Sequence, residues 1–301
     1  MLRSILISVV CFLGSTLGAQ QAYTSVGESS MEPLMLLWLD VYRQQVPTFK
    51  LDVQAPGTSQ GVQGILEGKT DIAPSSRPWT SDEINAFTAK HGNPPGKVTV
   101  ALDALAIIVH QSNPIKELKL EQLDAIWSST RLQRWDKDIV TWGDAGVKES
   151  AWATRPITLY GRTGGSGIRD HFVEFIMLGG KSKPNVRRGP DMGFLLEAII
   201  SDQTGTGYGS LGELSNGVKA VPIVPIGGKA GIEPTHKTVA DGSYPLVHPL
   251  YIYYNKAKLD PAVKKFLLFI LSSLGQKQVL INGTIPLPDN LVQLNQKSLL
   301  R

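Results

Sequence analysis

Arg162 is followed four residues later by Ser166, within Arg162-Thr163-Gly164-Gly165-Ser166-Gly167. A guanidinium, a hydroxyl and glycine N–H groups this close together are the donors a small oxyanion needs. Two further turns have the same character, Gly27-Glu28-Ser29-Ser30-Met31 and Gly57-Thr58-Ser59-Gln60-Gly61. Each ends a strand-like stretch and opens a helical one. First-turn N–H groups lack intrahelical partners, and the helix dipole favours negative charge there. Taken singly, Ser30 and Thr58 could be plain helix N-caps, Gly165 and Gly167 ordinary turn glycines, and Arg162 one half of a salt bridge. Three such turns, with an arginine beside one, predict instead that several helix ends converge on a single anion.

Other chemistry finds little support. The five histidines, His91, His110, His171, His236 and His248, are scattered without a metal-ligand spacing such as H-E-x-x-H. The spacing predicts that His171, one helical turn past Ile168, points away from its helix start. Gly164-Gly165-Ser166-Gly167-Ile168 misses the last glycine of a nucleophile elbow. The glycine-rich turns also lack the lysine of a P-loop. No catalytic residue, metal ligand or cofactor is expected. A secreted phosphohydrolase using the same cradle, or an adhesive or sensory protein, stays open as an alternative of another class.

The elements that must hold these turns read as alternating strands and helices. Leu51, Val53 and Ala55 alternate with polar residues before Gly57. Helical stripes follow each turn: Met31, Leu34, Met35, Trp38, Val41 and Tyr42; then Val62, Ile65 and Leu66; then Ile168, Phe172, Phe175 and Ile176. Such alternation predicts an α/β fold with mostly parallel sheets, in which ligands sit at the carboxyl ends of strands. Two apolar strand-like segments, Val98 to His110 and Pro245 to Asn255, read as crossings between lobes. They divide the chain into a discontinuous first lobe (20–103 and 246–301) and a second lobe (104–245). Pro, Gly and Asn mark links at 92–96, 112–114, 179–190 and 226–233. Phe266 to Leu274 reads as a buried helix, and Tyr208 as strand packing.

The chain has 301 residues, 42% hydrophobic and 19% charged, with a net charge of +4. That is enough for two compact lobes. No helix-length basic run favours nucleic acid. Residues 1–19 read as a secretory signal: Arg3, an apolar stretch from Ile5 to Leu17, then Gly18-Ala19. About 13 apolar residues fall short of the ~20 that span a bilayer. Cleavage is expected after Ala19 or Ala22, giving a periplasmic or secreted protein. Cys11, the only cysteine, follows Val9 and Val10 and does not read as lipidated, so the mature chain is expected to lack thiol chemistry.

Over roughly residues 23 to 290 the chain resembles the PstS-type phosphate-binding proteins of bacterial ABC transporters. The resemblance lies in the order of Gly27 to Leu34, Gly57 to Val62, Gly68-Lys69-Thr70-Asp71-Ile72-Ala73-Pro74-Ser75-Ser76-Arg77, Leu120 to Trp127 with Arg134-Trp135, and Arg162 to Gly167. It implies a two-lobed type II periplasmic-binding-protein fold with a two-strand hinge. It also implies phosphate held by Ser30, the Met31 N–H, Thr58, Ser76, Arg77, Arg162, Ser166 and the N–H groups of Gly167 and Ile168. A permease, a cytoplasmic ATPase and a monomeric state are further implications. Two positions differ from many members of that family: Ser76 stands where an aspartate is common, and Ile168 where a threonine is common. Serine can donate or accept, so another tetrahedral oxyanion such as sulfate stays open as the ligand. Asp103, at the first crossing, is a candidate substitute acceptor, and Arg169 reads as solvated or supporting.

Overall fold

The computed structural model describes residues 22–300. The expected leader and Cys11 lie outside the described residues. The strands are β1 Ala22–Val26, β2 Lys50–Gln54, β3 Ile72–Ser75, β4 Gly96–His110, β5 Leu118–Lys119, β6 Thr158–Arg162, β7 Arg187–Gly189, β8 Gly205–Ser210, β9 Val218–Ala220, β10 Ile223–Val224 and β11 Val247–Tyr254. The helices are α1 Glu32–Gln45, α2 Thr58–Glu67, α3 Ser81–His91, α4 Leu120–Trp127, α5 Ser150–Ala153, α6 Gly167–Phe175, α7 Met192–Ser201, α8 His236–Ala240, α9 Pro261–Ile270, α10 Ser273–Ile281 and α11 Asp289–Leu300. None of them is long and apolar enough to cross a membrane.

The strands follow one path, β2-β1-β3-β11-β4-β8-β6-β7, with β9 beside β4 and a separate β10-β5 pair. Both outer parts of the path are parallel: β1 with β2 and β3, and β6 with β7 and β8. Between them β4 and β11 run antiparallel, Asp103 opposite His248, with a register break at Leu250/Tyr251. A break of this kind bends the ribbon.

Two cores meet along that ribbon. Val98, Val100 and Ala101 of β4 pack into one, with Leu34, Trp38, Tyr42 and Phe266. Ala104, Leu105, Ile107 and Val109 pack into the other, with Trp127, Trp142, Phe172 and Tyr208. Leu102 touches both cores. The fold is thus the expected two-lobed α/β arrangement, and burying each such side chain contributes roughly 1.5–3 kcal/mol.

Local detail departs from expectation in three places. The link over 179–190 contains β7, which extends the β6 edge. The apolar run from Phe266 to Leu274 is split between α9 and α10. The Ser272 hydroxyl accepts the Gly275 N–H at 3.2 Å and starts a new helix, so Leu274 is exposed while Phe266, Leu267 and Ile270 are buried. In α6 the buried face runs through Ile168, His171 and Phe172 to Ile176, and Phe175 is 52% exposed. His171 is buried, with its ring centroid 4.6 Å from that of His248 on β11.

Candidate functional site

Each of the three turns follows the carboxyl end of a strand: β1, β2 and β6. The backbone ties the first two together. Gly27 donates to the Gln54 carbonyl at 3.0 Å, Gly57 donates to the Gly27 carbonyl at 2.8 Å, and Glu28 donates to the Pro74 carbonyl at 3.0 Å. Gly57, at φ 125°, lies in a region that side chains avoid. A Cβ there would stand 2.6 Å from the Gly165 carbonyl oxygen, so this glycine lets the third turn come close.

The hydroxyls do not act as caps. Thr58 opens α2 and Ser166 precedes α6, yet neither helix has a side-chain cap bond at its start. The Thr58 hydroxyl donates to Glu28 Oε2 at 2.8 Å. Ser30 Oγ, Ser76 Oγ, Ser166 Oγ and Arg162 Nε are buried without a hydrogen-bond partner among the described residues. Leaving such a group unpaired costs about 1–3 kcal/mol. Ser76 Oγ lies with Thr58 Oγ1 and Glu28 Oε2 at Gly167, which marks the converging turns as the candidate site.

Arg162 ends β6 at 2% exposure. Its Nη2 donates to Ser29 Oγ and to the Pro190 carbonyl, both at 2.8 Å. Its backbone N–H donates to the Tyr208 hydroxyl at 3.3 Å. The Tyr208 ring stacks on Phe172 at 4.0 Å, so its role is packing and the support of this turn. Gly167 opens α6 and donates its N–H to Glu28 Oε2 at 2.7 Å. Ile168, fully buried, is the next residue and belongs to the same unpaired first turn. The Met31 N–H is already engaged by the Glu28 carbonyl at 3.2 Å.

Arg77 lies beside the site but is occupied elsewhere. It forms a fork with Glu83, both bonds at 2.8 Å, and its Nε reaches Asp170 of α6 at 3.4 Å. The bond to Glu83 raises the guanidinium above its ordinary value. Burial alone would push Glu83 up, but bonds from Arg77 and Thr80 hold it below its usual range. Arg169, half-buried, pairs with Asp170 at 3.2 Å.

A group of ionisable side chains lies near the hinge: Asp103, His171 and His248 are buried, and Glu213 is partly buried with its Oε2 enclosed. Asp103 accepts the Ala104 N–H at 2.7 Å, and burial pushes it up to about 6. Burial, together with the Asp103 charge, pushes Glu213 up to about 8, while Arg162 opposes the rise. His248 Nε2 is 3.8 Å from Asp103 Oδ2, but burial holds this histidine down near 4, so the contact is not ionic at neutral pH. Burial, then the neighbouring His248, holds His171 near 3. A cavity of about 600 Å³ lined by Pro114, Lys119 and Val147 among others shares no residue with this cluster.

The sequence had not marked Glu28, Ser29 or Glu213 as functional. A charged side chain inside a turn of small residues, as in Gly27-Glu28-Ser29, is the one signal that could have singled out Glu28.

The family model for the PBP superfamily domain matches residues 14–273. A phosphate-binding protein PstS of Pseudomonas aeruginosa is 37% identical over 285 residues, covering 94% of this chain and 88% of its own length. Among solved structures, a putative phosphate ABC transporter substrate-binding protein with bound phosphate from Clostridium perfringens superposes with a TM-score of 0.76. It is 26% identical, and the match covers 89% of this chain and 100% of that one. An ABC-type phosphate transport receptor from Vibrio cholerae gives a TM-score of 0.70 at 26% identity, over 87% of this chain and 99% of that one. The converging turns, the two-lobed sheet path and these matches agree, and the chain belongs to the PBP superfamily, within it to the PstS-type phosphate-binding proteins.

Proposed function

We propose that this chain is an extracytoplasmic solute-binding protein that closes its two lobes over inorganic phosphate and hands it to an ABC permease driven by a cytoplasmic ATPase. The observation that carries the reading is the set of four buried, unpartnered polar atoms, Ser30 Oγ, Ser76 Oγ, Ser166 Oγ and Arg162 Nε, on turns that meet. A tetrahedral oxyanion offers lone pairs in several directions at once, and hydrogen bonds to a charged group are the strong ones. Thr58 and the N–H groups of Gly167 and Ile168 complete the donor set. Arg162 supplies the positive charge. Arg77 acts as a strut between lobes rather than as a ligand. The Met31 N–H takes part only if the first turn relaxes.

The lobes divide at the β4–β11 ribbon, as 20–103 with 246–301 and as 104–245. Hinge closure about two such strands is an established way of enclosing a ligand. Residues 1–19 serve as the leader, and the mature protein acts as a monomer in the periplasm. The names of the PstS relatives and the phosphate-bound Clostridium structure favour phosphate over sulfate.

Equilibrium dialysis with radiolabelled phosphate tests this reading, with sulfate as competitor and Arg162→Ala as control. Retention of phosphate by the wild type, weak competition by sulfate and loss of retention in the variant are expected. Absence of phosphate retention, or displacement by equimolar sulfate, overturns the assignment.

A further inference from the structure

Glu28 sits where an anion is wanted. Its side chain is 1% exposed. Oε2 accepts the Thr58 hydroxyl at 2.8 Å and the Gly167 N–H at 2.7 Å, and Oε1 accepts Ser29 Oγ at 3.3 Å. Ser29 Oγ in turn accepts Arg162 Nη2 at 2.8 Å. One carboxylate is thus held by a helix-start N–H, a hydroxyl and, through Ser29, the buried arginine. These are the donor types a phosphate oxygen would use, and two of them are donors assigned to phosphate above. The carboxylate also bridges residues of the two lobes, since Glu28 and Thr58 lie on the first and Gly167 on the second.

We infer that Glu28 is a tethered carboxylate that occupies the anion cradle, holds the lobes together without ligand and must be displaced before phosphate can take the Thr58 and Gly167 donors. The inference rests on reading that cradle as the phosphate site. A tethered group competes at an effective concentration in the millimolar range or above. The carboxylate therefore lowers the apparent affinity of a free anion and sets the phosphate level at which the protein fills. It also repels any anion that tries to share the cradle with it. A carboxylate that instead accepted a proton from a hydrogen phosphate and helped to hold it would weaken binding on its removal. The two roles predict opposite signs on removal.

The experiment uses the mature protein, stripped of phosphate, as wild type, Glu28→Ala and Glu28→Gln, each titrated with sodium phosphate by calorimetry. Small-angle scattering is recorded on the same ligand-free samples. Gln keeps the shape and one acceptor oxygen but loses the charge, which guards against a packing defect in the Ala variant. Both variants are expected to bind phosphate at least about tenfold more tightly than the wild type, a gain of about 1.4 kcal/mol. Both are also expected to have a larger ligand-free radius of gyration. Equal or weaker binding in both variants overturns the inference and leaves the phosphate assignment standing. If none of the three proteins binds phosphate, but the ligand-free wild type is compact and the variants are expanded, the phosphate assignment fails and the carboxylate latch stands. If neither affinity nor compactness changes, the latch is refuted.

Discussion

Arg162 Nη2 donates to Ser29 Oγ at 2.8 Å across 133 residues of chain. The bond joins the carboxyl end of β6 in one lobe to the turn after β1 in the other. It anchors the guanidinium, whose Nε is buried without a hydrogen-bond partner among the described residues. The fork is what a lysine cannot reproduce: it would have to serve Ser29, the Pro190 carbonyl and the ligand from one ammonium. Arg162→Lys should therefore weaken phosphate binding by about one to two orders of magnitude, one charge-assisted bond of about 1.5–3 kcal/mol being lost. Its melting temperature should fall much less than its affinity. Calorimetric titration beside a thermal melt checks this; unchanged affinity would show that the fork is not used.

Gly167 tests closure. A Cβ there would overlap the Thr58 and Ser76 hydroxyls and stand 2.8 Å from Glu28 Oε2. These are groups of the opposite lobe, so Gly167→Ala should prop the lobes apart without unfolding either. The expected result is loss of phosphate binding and a ligand-free radius of gyration larger than the wild type's, with secondary structure by circular dichroism unchanged. A variant that binds phosphate and is as compact as the wild type would show that Gly167 does not set the approach of the lobes.

Arg77 separates a strut from a ligand. Its guanidinium is committed to Glu83 and reaches Asp170, so its removal costs an inter-lobe tie rather than a bond to phosphate. Arg77→Met, which keeps the apolar stem, should weaken phosphate binding by less than about tenfold, in keeping with the modest worth of a partly solvated ion pair. Arg162→Ala, by contrast, should abolish binding. Equal losses in the two would make Arg77 a direct ligand.

The hinge histidines and carboxyls should shape stability against pH in opposite directions. Burial holds His171 near 3 and His248 near 4, below their ordinary 6.5. Their neutral forms favour the fold, so stability is present above about pH 6.5 and is lost as pH falls towards 4. Asp103 and Glu213 are raised, to about 6 and about 8. Their protonated forms favour the fold, and that contribution is present below about pH 4 and lost as pH rises through 6 and 8. Denaturant midpoints measured from pH 4 to 9 should show both limbs. His171→Phe should flatten the acid limb alone and Glu213→Gln the alkaline limb alone. If Glu213→Gln leaves the slope between pH 6 and 8 unchanged, the burial ascribed to that carboxyl is wrong.

Much of this architecture could be read from the chain because its signals are local. The turn at Gly57 falls between an alternating stretch and a helical stripe, and β2 and α2 appear on either side of it. The crossings were legible as long apolar strands: β4 covers Gly96–His110 and β11 covers Val247–Tyr254. What could not be read depends on partners far along the chain. Asp170, 93 residues from Arg77, gives that guanidinium a partner that nothing near Arg77 in the chain announces. His171 is buried because α6 packs on the hinge beside His248, and no periodicity in α6 announces that neighbour. Phe175 fits the apolar stripe by spacing, yet it lies at the edge of the buried face with its ring against His171, 4.2 Å between centroids. Glu28 looks like a solvated charge until Gly167, 139 residues away, is brought to its oxygen.

A crystal structure of the mature protein with phosphate would show whether the anion is held between the turns of both lobes. One phosphate is expected, with oxygens within hydrogen-bonding distance of Ser30 Oγ, Ser76 Oγ, Ser166 Oγ and Arg162 Nε, and with the Glu28 side chain moved off the Gly167 N–H. A phosphate bound away from these four atoms, or touching one lobe only, would contradict it.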